Sequence, residues 1–168
     1  EGMRSFTDIG NGRRLVDTFR DVIRYTPGLG WFHWNNGYWK PDAEGLEVKE
    51  LSKMIPTLIA SEIVKYDDPD KQGEVIKWAQ QTKSIGRLRS SIEAGNSDPR
   101  INRYVEEWDK DENLLGVMNG VIDLKTGELL KNRPDLFITR RAPVGYIVGQ
   151  RNVRWEQFLD FATNGDKE

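Results

Sequence analysis

Asp109, Asp111 and Asn113 stand at the spacing of a calcium-binding loop, in which alternate oxygen-bearing side chains close round a hard cation. The loop then fails: Leu114 occupies the position that needs a glycine, and Gly120 the position that needs a bidentate glutamate. Asp67, Asp68 and Asp70 carry enough carboxylate for Mg²⁺, but an acidic loop between helices is ordinarily just solvated. His33 is the only histidine, and with no cysteine the chain has no thiolate nucleophile, disulfide or thiolate zinc site. Neither a Gly-x4-Gly-Lys-Ser/Thr phosphate loop nor a GxGxxG turn is present. No catalytic residue and no metal ligand is therefore assigned.

Two patterns could bind rather than react. Trp31, Phe32, Trp34, Tyr38 and Trp39 crowd one hairpin, and strand alternation sends Trp31 and His33 to one face, Phe32 and Trp34 to the other. Trp31, Trp34 and Trp39 are candidates for stacking on bases or sugars; packing against helices is the competing use, and the commoner one. Lys83 and Arg87 lie four apart in a helical stretch and could follow phosphates, or form a plain solvated face. The most basic part of the chain is later: Lys131, Arg133, Arg140, Arg141, Arg151 and Arg154, opposed only by Asp135. Those cations could grip nucleic acid or an acidic surface of a neighbouring subunit. Against that, the whole chain has 25 Lys and Arg against 27 Asp and Glu, a net charge of −2 that is low for a free-standing nucleic-acid binder.

The elements that must position these residues can be traced by periodicity. A first helix is expected behind a Thr7 or Asp8 cap, with Leu15, Val16 and Phe19 as its stripe and Gly10 and Gly12 weakening its start. Val22 to Lys40 predicts an antiparallel meander with turns at Pro27-Gly28 and Asn36-Gly37. Leu51, Ile55, Leu58, Ile59, Ile63 and Tyr66 predict a long helix that Pro56 must kink or split. A second long helix is expected from about Gln72 to Ala94, with Val75, Trp78, Ala79, Ile85, Leu88 and Ile92 buried. A short helix over 98–108, a second meander over 114–130, a further strand over 137–141 and a last helix capped by Asn152 complete the expected elements. The fold class is α+β, mostly helical with two small antiparallel β meanders. At 168 residues one domain is expected, over 4–149, followed by a C-terminal helix and the start of a linker over 150–168. No apolar run approaches the ~20 residues of a membrane span, and no membrane association is expected.

The second meander carries a distinctive wording. Asn119 to Leu129 matches Asn-Gly-Val-x-Asp-Leu-x-Thr-Gly-x-Leu, and this resembles the domain found just before the superfamily 3 helicase in phage and plasmid primase–helicases and their poxvirus relatives. Asp109 to Leu115 is similar to that family's Asp-rich lead-in, without its usual Pro and Trp. Thr7-Asp8, Gly10-Asn11 and Arg14-Leu15 resemble its opening. Arg24-Tyr25, Trp31, Trp34, Trp39, Pro143, Tyr146 and Trp155 to Leu159 follow in the family's order, so the resemblance covers nearly the whole chain. It implies a role in DNA replication as an accessory domain that links primase to helicase and supports ring assembly or DNA guidance. A structural interaction module without DNA contact is the alternative. Glu1-Gly2-Met3 reads as an arbitrary boundary, so the chain is expected to be a non-catalytic piece of a larger protein. The resemblance implies that the parent is an ATP-dependent DNA helicase, with ATP and Mg²⁺ belonging to its helicase domain. Expected partners are DNA, the chain's own helicase domain and further copies in a homo-oligomeric ring, in the host-cell cytoplasm. A glycan-active enzyme built on the Trp-rich hairpin has no specific support.

Overall fold

The computed structural model describes residues 4–164, so Glu1-Gly2-Met3 and the expected linker over 165–168 lie outside the described residues. In chain order the elements are α1 (Asp8–Phe19), β1 (Ile23–Thr26), β2 (Gly30–Asn35), β3 (Tyr38–Pro41), α2 (Leu46–Ser52), α3 (Ile55–Ser61), α4 (Pro69–Thr82), α5 (Ile85–Asn96), β4 (Leu114–Val117), β5 (Gly120–Asp123), β6 (Leu129–Leu130) and α6 (Val153–Ala162). Among the described residues the strands form two three-stranded antiparallel sheets, β1-β2-β3 and β4-β5-β6. This is the α+β architecture expected.

The core lies under the helices. Leu15, Val16, Phe19, Ile23, Val48, Ile55, Ile59, Val75, Ala79 and Ile101 are buried together. Thr7 caps α1, its hydroxyl accepting from Gly10 N at 3.1 Å. Pro56 splits the first helical stretch rather than kinking it: α2 ends before it, and it sits in the first turn of α3, where its missing N–H costs nothing. Gly12 lies where α1 crosses α5, and a Cβ there would stand 2.8 Å from Gly95 N and 2.9 Å from Ser91 O. The glycine expected to weaken α1 is thus what lets the two helices touch.

Two expectations fail here. The continuous helix over 72–94 is two helices, broken at Lys83-Ser84, with the Ser84 hydroxyl capping α5 at Arg87 N. Ile85, expected in the stripe, is exposed. The short helix over 98–108 is reduced to a 3-10 turn at Val105–Glu107. Its backbone is claimed by β1 instead: Tyr25 N donates to Ile101 O and Arg103 N to Tyr25 O, both at 3.0 Å, while Ile101 is drawn fully into the core.

The first sheet is the partition of the molecule. Cross-strand partners share a face, and Tyr25 pairs with Trp31, Trp34 with Trp39. The Trp31 face packs on the helical core. The opposite face carries Phe32 and Trp39, and the segment after α5 closes over it through Trp108 and Phe137. Residues 137–141 are not a strand of either sheet, because Phe137 turns left-handed at φ 49°. They bridge the sheets: Trp39 N donates to Ile138 O at 2.8 Å, and Ala142 N to Gly116 O at 2.9 Å. Asn132, its amide turned to donate, reaches Gly37 O at 3.2 Å and Gly120 O at 3.1 Å, tying the β2–β3 hairpin to β5.

Candidate nucleic-acid interface

The aromatic hairpin divides into buried and half-buried members. Trp39 is fully buried and its Nε1 donates to Pro134 O at 2.8 Å, so it has no face to offer a base. That overturns its expected stacking role; edge-on contacts with Trp34 at 5.5 Å and Trp108 at 5.8 Å fill the space instead. Trp31 is half-buried against the core, edge-on to Tyr25, and its outer side lines a cleft of about 280 Å³ with Leu29, Pro41 and Lys49. Trp34 is half-buried and lies edge-on to Trp39 at 5.5 Å.

Arg24 explains why this layer is tightly specified. It is buried among Trp39 and Phe137, its guanidinium 4.8 Å and 5.9 Å from their ring centroids. Nη1 donates to Ile23 O at 2.7 Å, while Nε has no partner. Burial, and then the neighbouring Arg103, lower its pKa to about 10. The aromatic faces supply the negative potential that a carboxylate would otherwise provide.

The basic segment over 131–141 meets the hairpin tip. Arg141 reaches Asn36 O with Nη1 at 2.8 Å and lies over the Tyr38 ring at 4.5 Å. Arg140 beside it projects outward, its side chain 92% exposed. It stands on the rim of a cleft of about 390 Å³ with Phe32, Trp108, Asp109 and Thr139. Phe32 and Trp108 stack at 4.6 Å and 25°, with Trp108 Nε1 donating to Thr26 Oγ1 at 2.8 Å. Asp109 is held at φ 48° and accepts from Thr139 N at 2.7 Å and from the Thr139 hydroxyl. Lys131 and Arg133 are exposed on the same segment.

The segment is less basic than the sequence suggested. Arg133 pairs with Asp135 at 3.1 Å, Arg151 with Glu156 at 2.8 Å, and Arg140 lies 3.9 Å from Asp109. Lys83 and Arg87 do not join this surface or share one helix: Lys83 caps α4, and Arg87 in α5 pairs with Asp8 at 3.3 Å and lies 4.3 Å over Trp78. The Asp-rich loops serve the backbone. Asp68 accepts from Asp70 N, and Asp111 accepts from Asn113 N and Nδ2, which holds its carboxyl below the usual range.

The residue pattern does not name Trp108 as a site residue, and it offers Asp109 only as a member of a calcium loop that fails. Trp108 ends the stretch expected to be helical, and the left-handed turn at Asp109 beside it leaves no mark in the residue pattern.

No curated protein matches the chain. A family model described as D5 N terminal like matches residues 12–164. That span takes in α1 from Gly12 onward, both sheets and α6, so the ordered motifs from Gly12 to Leu159 and the α+β fold they build belong together: the chain is a member of the D5 N-terminal-like family, the N-terminal domain of D5-type primase–helicases.

Proposed function

We propose that this domain gives single-stranded DNA a weak contact beside the helicase of a replicative primase–helicase, connecting priming to unwinding. The observation that carries the reading is Arg140, an exposed guanidinium on the rim of a cleft walled by the Phe32–Trp108 stack. A cation beside an aromatic wall suits a strand whose phosphates and base faces are both accessible. ATP and Mg²⁺ belong, in this reading, to the helicase domain of the parent protein, which also forms the ring. Sequence-independent contact is expected, because no cluster of amide side chains lines the cleft to read base edges.

An anisotropy titration with a fluorescent single-stranded oligonucleotide at two salt concentrations tests it. Binding should weaken with salt, log K falling by about 0.7 per phosphate neutralised. Arg140→Ala should weaken it several-fold, and Arg141→Ala less, since Arg141 is already engaged by Asn36 O. No binding at low salt, or binding indifferent to Arg140→Ala, would favour the rival reading of a protein-interaction module without DNA contact. The acids paired with Arg133, Arg140 and Arg151 speak for that rival.

A further inference from the structure

We propose that the cleft beside Arg140 takes one unpaired nucleobase, its edge on Asp109 and its phosphate outside on Arg140. The proposal rests on the DNA reading above and adds which part of a strand enters the cleft and which residue decides it. It starts from apolar side chains that the fold leaves in water. Leu29 and Val105, 57% and 52% exposed, line the cleft together with the Phe32–Trp108 stack. Buried Thr26 fixes two of these side chains. Its carbonyl accepts from Leu29 N at 3.0 Å, and its hydroxyl accepts from Trp108 Nε1 at 2.8 Å. Trp108 also stands edge-on to Trp39 and Phe137, so the indole is held in place before any ligand arrives. A preformed, mostly apolar cleft of about 390 Å³ with a few fixed polar groups suits a flat ligand with apolar faces.

The polar groups narrow the choice of ligand. Among the residues lining the cleft, Asp109 is the one carboxylate and Arg140 the one cation. Asp109 Oδ1 accepts from Thr139 N at 2.7 Å, and Oδ2 accepts from the Thr139 hydroxyl. Each oxygen has a second acceptor position, and the side chain is 31% exposed. Arg140 lies 3.9 Å from it and projects outward. A carboxylate on the cleft repels a phosphate but accepts from an N–H. The ligand is thus a flat ring with an N–H at its edge and an anion attached outside, which describes a nucleotide.

Every base carries an N–H donor on its pairing edge, so Asp109 accepts any unpaired base and selects none of them. In a duplex that edge is bonded to the complementary base and both faces are stacked. Asp109 therefore acts as a specificity residue that admits bases, turns phosphates away and favours single strands over duplex.

Competition anisotropy tests this with a labelled single strand and three unlabelled competitors of one length: a mixed-sequence single strand, the same strand made abasic throughout, and the duplex. The abasic strand keeps the phosphates and lacks the bases. The base-bearing strand should compete about tenfold better than the abasic one, the worth of one stacked base. The duplex should also compete less well than the base-bearing strand. Asp109→Asn keeps the local geometry: Oδ1 still accepts from Thr139 N, the amide can donate to the Thr139 hydroxyl, and asparagine tolerates a φ of 48°. With the charge gone, the abasic strand should compete several-fold better and the ratio should shrink to about threefold. Leu29→Ala, at an exposed turn position, should weaken the base-bearing strand a few-fold and leave the abasic strand unchanged. Equal competition by the two single strands overturns the proposal while the DNA reading stands. An Asp109→Asn variant that keeps the wild-type ratio does the same. A labelled strand that does not bind at all removes the DNA reading and this proposal with it.

Discussion

At the scale of single residues, the ion pair that matters most for stability is remote from the candidate site. Arg14 donates to Glu62 through Nε at 2.9 Å and Nη2 at 2.6 Å, and the two side chains are 3% and 12% exposed. This bidentate pair staples α1 to the turn after α3, and Arg14 also donates to the carbonyls of Ser5 and Arg4. Removing one partner leaves the other charge dehydrated, a larger loss than an exposed pair suffers. Glu62→Gln should cost about 3 kcal/mol in urea unfolding, the low end for a broken buried pair because the amide still accepts one bond. An unchanged midpoint would mean that the Ser5 and Arg4 carbonyls alone satisfy the guanidinium. Exposed pairs such as Lys71–Glu74 should contribute far less.

At the scale of elements, the close crossing of α1 and α5 yields a sharper test, because two glycines meet there with unequal room. A Cβ on Gly12 would press on backbone atoms of α5 at 2.8 Å and 2.9 Å, while one on Gly95 would meet Gly12 O at 3.4 Å. Backbone cannot rotate away as a side chain can. Gly12→Ala should therefore destabilise by about 1–3 kcal/mol through overpacking, against a higher helix propensity worth about 1 kcal/mol in its favour. Gly95→Ala should be close to neutral, and equal losses at both positions would refute this account of the crossing. Much of this level was legible in the sequence. The Thr7 and Asn152 caps, the break at Pro56 and both meanders follow from local chemistry that tertiary packing does not override. The break at Ser84 was not, since it has no Gly or Pro and the apolar rhythm runs through it. The stretch after α5 misled for another reason: its periodicity is real, but its backbone donors and acceptors are taken by Tyr25. The candidate site was legible only in part, because the pattern named Arg140 but not the cleft that its neighbours Trp108 and Asp109 form.

At the scale of the whole molecule, the question is whether the two sheets unfold together. Their junction is the layer holding Trp39, Trp108, Phe137 and Arg24, and both indole N–H groups bond across it, Trp39 to Pro134 O and Trp108 to Thr26 Oγ1. The second sheet itself is small, with β6 only two residues long. Isolated meanders of that size are marginal in water, so β4-β5-β6 must draw its stability from this shared layer. The helical half has its own core and does not depend on it to the same degree. Trp39→Phe keeps a ring but deletes the bond to Pro134 O and leaves a gap beside Arg24, a loss of about 2–4 kcal/mol if cavity and unsatisfied carbonyl act together. That loss should fall on the second sheet. Amide exchange in the variant should speed first at Val121 and Ile122, while Leu15 and Val16 stay protected close to wild type. Uniform acceleration at all four positions would show instead that the two halves form one cooperative unit, with the aromatic layer as part of the same core as the helices.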